Sequence, residues 1–239
     1  MKNTLFACIL MLLPFCVSAQ QYDESIRQYR EAYKMSLLHG ADSLKAEDTA
    51  YLRFYPIDST FRVRASFEQV TGATPFRMPT KHGKVGPQVR EYGTVYFKMK
   101  GSAITLHVYR ILARANFRML AHDVDNPEEN MVLFIPFTDR TNNKETFLGG
   151  RYLEVSSQML QSGHVVLDFN KTCNPHTAYV KGYPYVMLPL IPDMSSPLER
   201  TTTRLMSGEV VSEYATIQAN DLHLDIKAGE KIFGHNPGY

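Results

Sequence analysis

Residues that could do chemistry are concentrated in three stretches of the second half of the chain, at 137–152, 168–179 and 227–231. Each combines charged or amide side chains with glycine or proline, and each follows or leads an apolar strand-like run. Polar groups at strand ends can cluster in space although they are distant in sequence. We therefore expect a polar binding site built from the following residues: Asp139, Thr141, Glu145, Arg151, Tyr152, Asp168, Asn170, Asn174 and Glu230.

Arg151 is the strongest candidate for binding an anion. Its guanidinium presents a rigid fork that fits a carboxylate or a phosphate. A polar or anionic small molecule is therefore the partner that we expect. The alternative is a buried ion-pair network, in which Asp139, Glu145 and Asp168 neutralise Arg151 and hold strand ends together without a ligand. Residue types alone leave both interpretations open.

The acidic residues also allow a catalytic interpretation. Two carboxyl groups beside a cleft can act as general acid and general base when their pKa values are driven apart. Asp168 and Glu145 are the candidates for such a hydrolase. Asp168 and Asn170 alternate along a strand, which places both on one face. The same pair is equally suited to cap a tight turn before Asn174.

A metal ion or a cysteine nucleophile has less support. His164 and His176 flank the second stretch, but no H-x-x-x-H or paired-cysteine spacing accompanies them, so we expect no metal and no cofactor. Cys173 lies near His176, yet a thiol nucleophile needs hydrogen-bond contact with its base and an oxyanion hole. A small buried thiol is the simpler interpretation of Cys173. His107 is expected on the exposed face of a strand.

The order of these motifs resembles that of the domain-of-unknown-function 1684 family, which is widespread in bacteria. Members carry an F-x-D-x-T…E-T-Y-x-x-G-R-Y block, then D-F-N…N-P…A-Y, a proline-rich C-P-L-P-P and a terminal A-G-E. The matching residues here are Phe137, Asp139, Thr141, Glu145, Thr146, Gly150, Arg151, Tyr152, Asp168, Phe169, Asn170, Asn174, Pro175, Ala178, Tyr179, Ala228, Gly229 and Glu230. The resemblance implies a fold and a site but no activity, because the family has none to carry over.

This chain departs from the family pattern at several positions. Thr177 stands where members place a cysteine, and C-P-L-P-P appears only as Leu-Pro-Leu-Ile-Pro at 188–192. A disulfide, metal or thiol role for that cysteine pair is therefore absent here. Phe147 replaces the tyrosine after Glu-Thr, and the segment 193–219 is longer than the resemblance implies.

The first nineteen residues have the pattern of a secretory signal peptide. Lys2 precedes an apolar run at 5–17, and Val17-Ser18-Ala19 places small residues where a signal peptidase needs them. The run is too short to span a bilayer comfortably. We expect cleavage after Ala19 and an exported product, periplasmic or secreted, without stable membrane insertion. A lipid anchor on Cys16 is disfavoured because the preceding Phe15 is bulky.

Cleavage would also limit how the remaining chain is stabilised. Cys8 and Cys16 would leave with the signal peptide, so Cys173 would be the only thiol and no internal disulfide could form. Residues 20–239 are long enough for a single large domain with its own core. The chain has 26 basic and 24 acidic residues, which gives no electrostatic reason to expect a nucleic acid or an anionic membrane as partner.

Hydrophobic alternation places the polar motifs on β-strands. Residues 61–68 alternate between apolar and polar side chains, as in a half-buried strand. Residues 89–99 and 103–111 flank Lys100-Gly101 and predict a hairpin. A long connection is predicted at 71–87. Further strands are predicted at 131–137 and 164–169 and, from the alternation of Leu222, Leu224 and Ile226, as a closing strand near the end.

Residues 22–38 predict an amphipathic helix, and a second short helix is expected to begin near Asp42-Ser43. The helical spacing is carried by Tyr22, Ile26, Tyr29, Tyr33 and Leu37. Since no βαβ alternation or repeat occurs, we predict a mainly β (α+β) fold, either an antiparallel β-sandwich or a partly closed barrel with N-terminal amphipathic helices. The polar, weakly periodic segment 193–219 is predicted to be an insertion or lid within this one domain.

Three functions are consistent with these features. The leading hypothesis is a binding module of the cell envelope, whose β-scaffold holds a polar small molecule near Arg151. The second is a hydrolase that uses Asp168 or Glu145. The third is a structural or interaction protein without a ligand, in which the polar blocks only fix loops.

Overall fold

The computed structural model describes residues 3–39, 44–78, 88–113, 131–175, 178–179, 198–204, 210–215 and 220–232. Only the backbone is described for residues 3–18, 77, 113, 198–204 and 210–215. The chain forms two compact units, residues 1–49 and 50–239. His176, Thr177 and the proline-rich segment 188–192 lie outside the described residues.

The first unit contains the long helix α1 (Asn3–Leu37). It contains the helix predicted at 22–38 except for its last residue, and the predicted apolar stripe is confirmed because Ile26, Tyr33 and Leu37 are buried. The helix begins earlier than predicted, since the run at 5–17 is rich in leucine, which favours helix. No helix in the described part of the chain is long and apolar enough to cross a membrane.

The predicted second helix is a 3-10 helix at Ala46–Tyr51, with Glu47 and Asp48 in its first turn. Its expected start at Asp42-Ser43 lies outside the described residues. The second unit is mainly β, and its strands are β1 (Arg62–Gln69), β2 (Phe76–Arg77), β3 (Gln88–Met99), β4 (Ser102–Ala113), β5 (Val132–Phe137), β6 (Arg151–Ser156), β7 (His164–Asp168), β8 (Leu198–Arg204) and β9 (Val210–Ala215). Short helices lie at Ser59–Phe61, Ser157–Leu160 (α2) and Phe169–Lys171.

Six of these strands form an antiparallel sheet in the order β6-β5-β4-β3-β1-β7, curved into a half-barrel, and β2 pairs with β3 outside this path. The predicted antiparallel, partly closed barrel is thereby confirmed. The predicted hairpin is β3–β4, and Lys100 (φ 49°) and Gly101 (φ 82°) form its turn. Positive φ at both turn positions matches the twist of the flanking strands, which is why a glycine is needed there.

The concave face of the half-barrel holds the hydrophobic core. Alternate residues of β1, β3, β4, β5 and β7 point into it, as the period-two pattern of β1 predicts. Phe169, the first residue after β7, belongs to this core, and its ring centroid lies 5.9 Å from that of Phe97 and 5.4 Å from that of Phe137. Phe169 therefore joins the residues after β7 to the middle of the sheet.

The chain beyond β7 returns to the opposite edge of the sheet. Tyr152 of β6 and Cys173 exchange backbone hydrogen bonds of 3.0 and 3.1 Å. Residues after β7 are thus brought beside β6, although β6 and β7 lie at the two ends of the strand order. This return connects the first and second polar stretches.

The predicted closing strand at Leu222–Ile226 is wrong. Among the described residues, 220–232 makes only isolated bridges, Thr138 with Asp221 and Phe54 with Glu230. His223 has φ 49°, a left-handed conformation that interrupts an extended strand. Leu222 and Ile226 are nevertheless buried, so the alternation predicted burial correctly but not strand pairing.

The segment predicted as an insertion or lid contains a β-hairpin, since β8 and β9 pair antiparallel from Leu198↔Ala215 to Arg204↔Val210. Its sequence lacks the apolar alternation that would have revealed these strands. A role as a lid stays a prediction.

Asn220 joins two strands that separate. Among the described residues, one pair connects β4 and β5 in the register of the sheet, Tyr109↔Phe134. Beyond it, Asn220 Oδ1 accepts from the His107 N–H (2.8 Å), and Nδ2 donates to the carbonyls of His107 (2.9 Å) and Pro136 (2.8 Å). The buried amide replaces the missing ladder between the two strands.

Replacing Asn220 with alanine should lower the free energy of unfolding by about 2–4 kcal/mol, because buried backbone groups of β4 and β5 would lose their partners. Urea denaturation of the purified protein measures this change. The exposed amide Gln69 provides a control, and Gln69→Ala should leave the midpoint nearly unchanged. Equal stability of Asn220→Ala and wild type would contradict the proposed role of this amide.

Candidate functional site

Arg151, the first residue of β6, is 1% exposed and its guanidinium is surrounded by acceptors. Nη2 donates to Asp139 Oδ2 at 2.7 Å and to the carbonyl of Ile226 at 2.8 Å. Nη1 donates to the carbonyls of Ala228 and, at 3.0 Å, Glu230. One carboxylate thus neutralises the cation, and three backbone carbonyls of the segment 226–230 accept further hydrogen bonds from its two terminal nitrogens.

Asp139 connects Arg151 to the loop between β5 and β6. Its Oδ1 accepts from the backbone N–H of Thr141 at 2.7 Å and from the Thr141 hydroxyl. The Thr141 and Thr146 hydroxyl oxygens lie 2.8 Å apart, and the Asp139 N–H donates to Asn142 Oδ1 at 2.6 Å. The predicted residues Asp139 and Thr141 therefore shape a buried loop around the cation.

Two glycines permit this close approach. Gly229 has φ 71°, and a Cβ there would overlap Thr172 Oγ1 and come within 2.7 Å of the Phe169 carbonyl oxygen. Gly150 has φ 84°, and a Cβ there would lie 2.6 Å from the Phe137 carbonyl oxygen. The glycines beside Arg151 and Glu230 are thus required by backbone conformation and by space. Strand β6 follows Gly150 directly, so this glycine pair precedes no phosphate-binding helix.

Glu230 is buried and joins the second polar stretch to the third. Its Oε2 accepts from the Asn174 N–H at 2.8 Å, and its Oε1 accepts from the Tyr179 hydroxyl at 2.5 Å. Asn174 Nδ2 donates to the carbonyl of Lys231 at 2.8 Å. Two buried atoms, Asn174 Oδ1 and Arg151 Nε, have no hydrogen-bond partner among the described residues.

Asp168 and Asn170 form a separate group. Asp168 Oδ1 accepts from Asn170 N and from Nδ2, both at 3.1 Å. The fully buried Asn170 amide also binds the Asp58 backbone, accepting from its N–H at 3.0 Å and donating to its carbonyl at 2.8 Å. This is the turn-capping arrangement that the sequence offered as an alternative. Asp168 is not among the acceptors that surround Arg151.

Glu145 lies at the surface, with 39% of its side chain exposed and Lys227 Nζ 3.2 Å from Oε1. Tyr55 donates its hydroxyl to Oε2 at 3.1 Å. The hydrogen bond from Lys227, more than that from Tyr55, lowers the pKa of Glu145. Its ion pair therefore contributes to stability above the ordinary glutamate pKa and is lost as the pH falls through the lowered value. A carboxylate with a lowered pKa is a weak general base.

The remaining candidates are buried. Tyr152 packs against Phe134 at a centroid distance of 5.5 Å, and burial raises its pKa well above the usual tyrosine value. Cys173 is a buried thiol, as predicted, and its Sγ donates to the carbonyl of Lys171 at 3.5 Å. His164 is exposed at the start of β7.

A second group of polar residues, not predicted from the sequence, lies on the convex face of β3 and β4. We call Glu91, Thr94, His107 and Tyr109 the outer-face cluster. Glu91 is directly opposite Tyr109, and Thr94 is directly opposite His107. The prediction that His107 is exposed is wrong, because its side chain is only 13% exposed and its Nδ1 lies 2.7 Å from Glu91 Oε1.

Tyr109 is the most buried member of the outer-face cluster, at 3% exposure. Its ring packs edge-on against Phe76, with centroids 5.9 Å apart. Burial and, to a lesser extent, the negative charge of Glu91 raise the pKa of Tyr109 above the usual value. Within the part of the chain that the structure describes, its hydroxyl has no hydrogen-bond partner.

A β-bulge explains why the sequence did not reveal this cluster. Counted from the turn at Lys100-Gly101, a regular hairpin pairs Tyr92 with Tyr109. The bulge between Glu91 and Gly93 shifts the register by one residue and places Glu91 opposite Tyr109 instead. A shift of one residue moves a side chain to the other face of the sheet. Once the bulge is known, the H-x-Y pattern at 107 and 109 indicates that both side chains share one face of the sheet with Glu91.

Comparison with known proteins identifies a family and a fold. A family model described as "Protein of unknown function (DUF1684)" matches residues 48–186, which include the outer-face cluster and the first two polar stretches. No curated protein matches the sequence. The solution NMR structure of an uncharacterised protein from Haloarcula marismortui is similar, with a TM-score of 0.56 and 19% identity over 90% of this chain and 96% of that chain. At this identity the likeness shows the fold alone.

Replacing Arg151 with alanine should lower the free energy of unfolding by about 3–5 kcal/mol, because Asp139 would remain buried without a countercharge. Arg151→Lys should recover only part of this loss, since one ammonium cannot reach acceptors on both sides of the guanidinium. Chemical denaturation measures both variants. Arg140→Ala, an exposed arginine in the neighbouring loop, is the control and should change stability little. If Arg151→Ala were as stable as the control, the buried network would not have the structural role described here.

Proposed function

Because the chain belongs to the DUF1684 family of proteins of unknown function, we propose its function from its own geometry. It binds a small polar molecule at the outer-face cluster and does not convert it chemically. The observation that carries this proposal is the hydroxyl of the largely buried Tyr109, which has no hydrogen-bond partner among the described residues and lies beside the Glu91–His107 pair.

A hydroxyl at the end of a largely buried ring is held in a fixed position, and without a protein partner it is available to an external group. A ligand can therefore form a hydrogen bond with Tyr109. The Glu91–His107 pair supports this role because Glu91 fixes the imidazole by its Nδ1, which leaves Nε2 available. Within the described residues, Nε2 has no partner in the protein.

The nine residues predicted from the sequence have a different part in this proposal. The Arg151 guanidinium is already neutralised by Asp139 and bonded to three carbonyls, which leaves little capacity for an external anion. These residues act as the scaffold that closes the half-barrel. The ligand is assigned to the opposite face of the sheet, where the Tyr109 hydroxyl and His107 Nε2 have no partner among the described residues.

A hydrolase has weaker support. Asp168 uses Oδ1 to cap the 3-10 helix at Phe169–Lys171, and Glu145 carries a lowered pKa rather than the raised value of an effective base near neutral pH. Neither acid adjoins the outer-face cluster in the described hydrogen bonding.

We also propose that the protein acts outside the cytoplasm, after cleavage behind Ala19. The pattern of the first nineteen residues supports this proposal. Among the described side chains of α1, the buried ones are Ile26, Tyr33 and Leu37, so cleavage would leave the packing stripe intact.

Expression of the full chain in a bacterial host tests export. Mass spectrometry of the exported protein should show a chain that begins at Gln20. Ala19→Arg should block cleavage and leave the precursor in the membrane or cytoplasmic fraction. A chain recovered from the cytoplasm with residues 2–19 intact in the unaltered protein would overturn the export proposal.

Thermal-shift screening with small polar molecules of different charge tests binding. A ligand at ~100 times its Kd should raise Tm by about 5–10 °C. Tyr109→Phe should abolish that rise yet be at least as stable as wild type without ligand, because the lost hydroxyl has no partner. The control is Tyr96→Phe, an exposed tyrosine of β3 bonded to Glu68, which should keep the rise. If no compound acts on wild type, or if Tyr109→Phe responds equally, the binding proposal fails.

A further inference from the structure

We infer that the molecule bound at the outer-face cluster is a primary amine in its ammonium form; this rests on the proposed function and narrows it. A primary ammonium offers three N–H donors and one positive charge. The cluster offers acceptors and a negative charge, so the two are complementary.

The acceptors are three atoms of neighbouring side chains. Glu91 Oε1 pairs with His107 Nδ1. Among the described residues, Glu91 Oε2 and the Tyr109 hydroxyl oxygen have no hydrogen-bond partner. The third is Nε2 of His107, which accepts a hydrogen bond when Nδ1 carries the proton toward Glu91. Since Glu91 is directly opposite Tyr109 and His107 is two residues away on the same strand face, the three groups are immediate neighbours.

The charges around the cluster favour a cation over an anion. Glu91 places a carboxylate directly opposite Tyr109. A carboxylate repels an anionic ligand and attracts an ammonium group.

A metal ion fits the same residues less well. Among the described residues, no third histidine, cysteine or acidic side chain joins Glu91 and His107 in a group that could hold a metal. An ammonium needs hydrogen-bond acceptors and not a closed set of ligands. The observed groups therefore suit an amine.

Isothermal titration calorimetry with methylamine, butylamine and phenethylamine tests the inference on the purified protein. At least one amine should bind, whereas its N-acetyl derivative and the carboxylate of matching size should not. Glu91→Gln should weaken amine binding about 10–100-fold, because a charge-assisted hydrogen bond is lost. Glu68→Gln is the matched control, since Glu68 likewise pairs with a side chain of this sheet, accepting from the Tyr96 hydroxyl, but at an exposed position. The control should bind as wild type does.

The outcomes separate this inference from the proposed function. If a carboxylate or a neutral molecule binds and Tyr109→Phe abolishes its binding, the amine inference is overturned and the binding function stands. If none of the three amines binds, or if Glu91→Gln and Glu68→Gln bind amine equally, the inference is also overturned. Should Glu91→Gln not fold, as judged by circular dichroism, loss of amine binding in the stable Tyr109→Phe variant supports the inference and retained binding overturns it.

Discussion

The burial of one positive charge constrains the second half of this fold. A guanidinium taken out of water is tolerated only when a countercharge and hydrogen-bond acceptors replace the lost solvent. Arg151 obtains these from Asp139 and from the backbone of residues 226–230. The loop after β5 and the segment near the C-terminal end must therefore be in place together for β6 to begin with a buried arginine.

This requirement accounts for the unusual composition of the polar stretches. Gly150 and Gly229 are needed because backbone passes close to backbone around the guanidinium, and Glu230 is needed because the Asn174 N–H and the Tyr179 hydroxyl are buried beside it. Residues that resemble a ligand site in sequence thus serve mainly one another. The half-barrel is closed by polar contacts in addition to its hydrophobic core.

Functional capacity is better judged from the polar atoms that remain unpaired. Around Arg151 and in the Asn170 group, Asp139, Asn170 and Glu230 accept hydrogen bonds from protein donors, and the atoms there without a partner among the described residues, Asn174 Oδ1 and Arg151 Nε, are fully buried. On the convex face, Tyr109 and His107 retain available atoms although both are largely buried. The contrast between the two sides is what directs the binding proposal to β3 and β4.

The local sequence pattern was sufficient to predict those elements whose conformation depends on residues close by in the chain. Alternation in 61–68, the Lys100-Gly101 turn and the helical stripe from Tyr22 to Leu37 each predicted an element that the structure confirms, because side-chain period and turn conformation are local properties. Polar residues between strands also indicated the region of the buried network, and the order of motifs indicated the family.

Only the tertiary structure decided which polar residues meet and which stay unpaired. The return of the chain beside β6 brings Cys173 to Tyr152, the left-handed His223 prevents a closing strand, and the bulge in β3 places Glu91 opposite Tyr109. Each is a long-range or single-residue backbone event that leaves the hydrophobic pattern unchanged. Burial and hydrogen-bond saturation depend on such events, and for that reason the sequence alone determined the scaffold but not the face on which a ligand could bind.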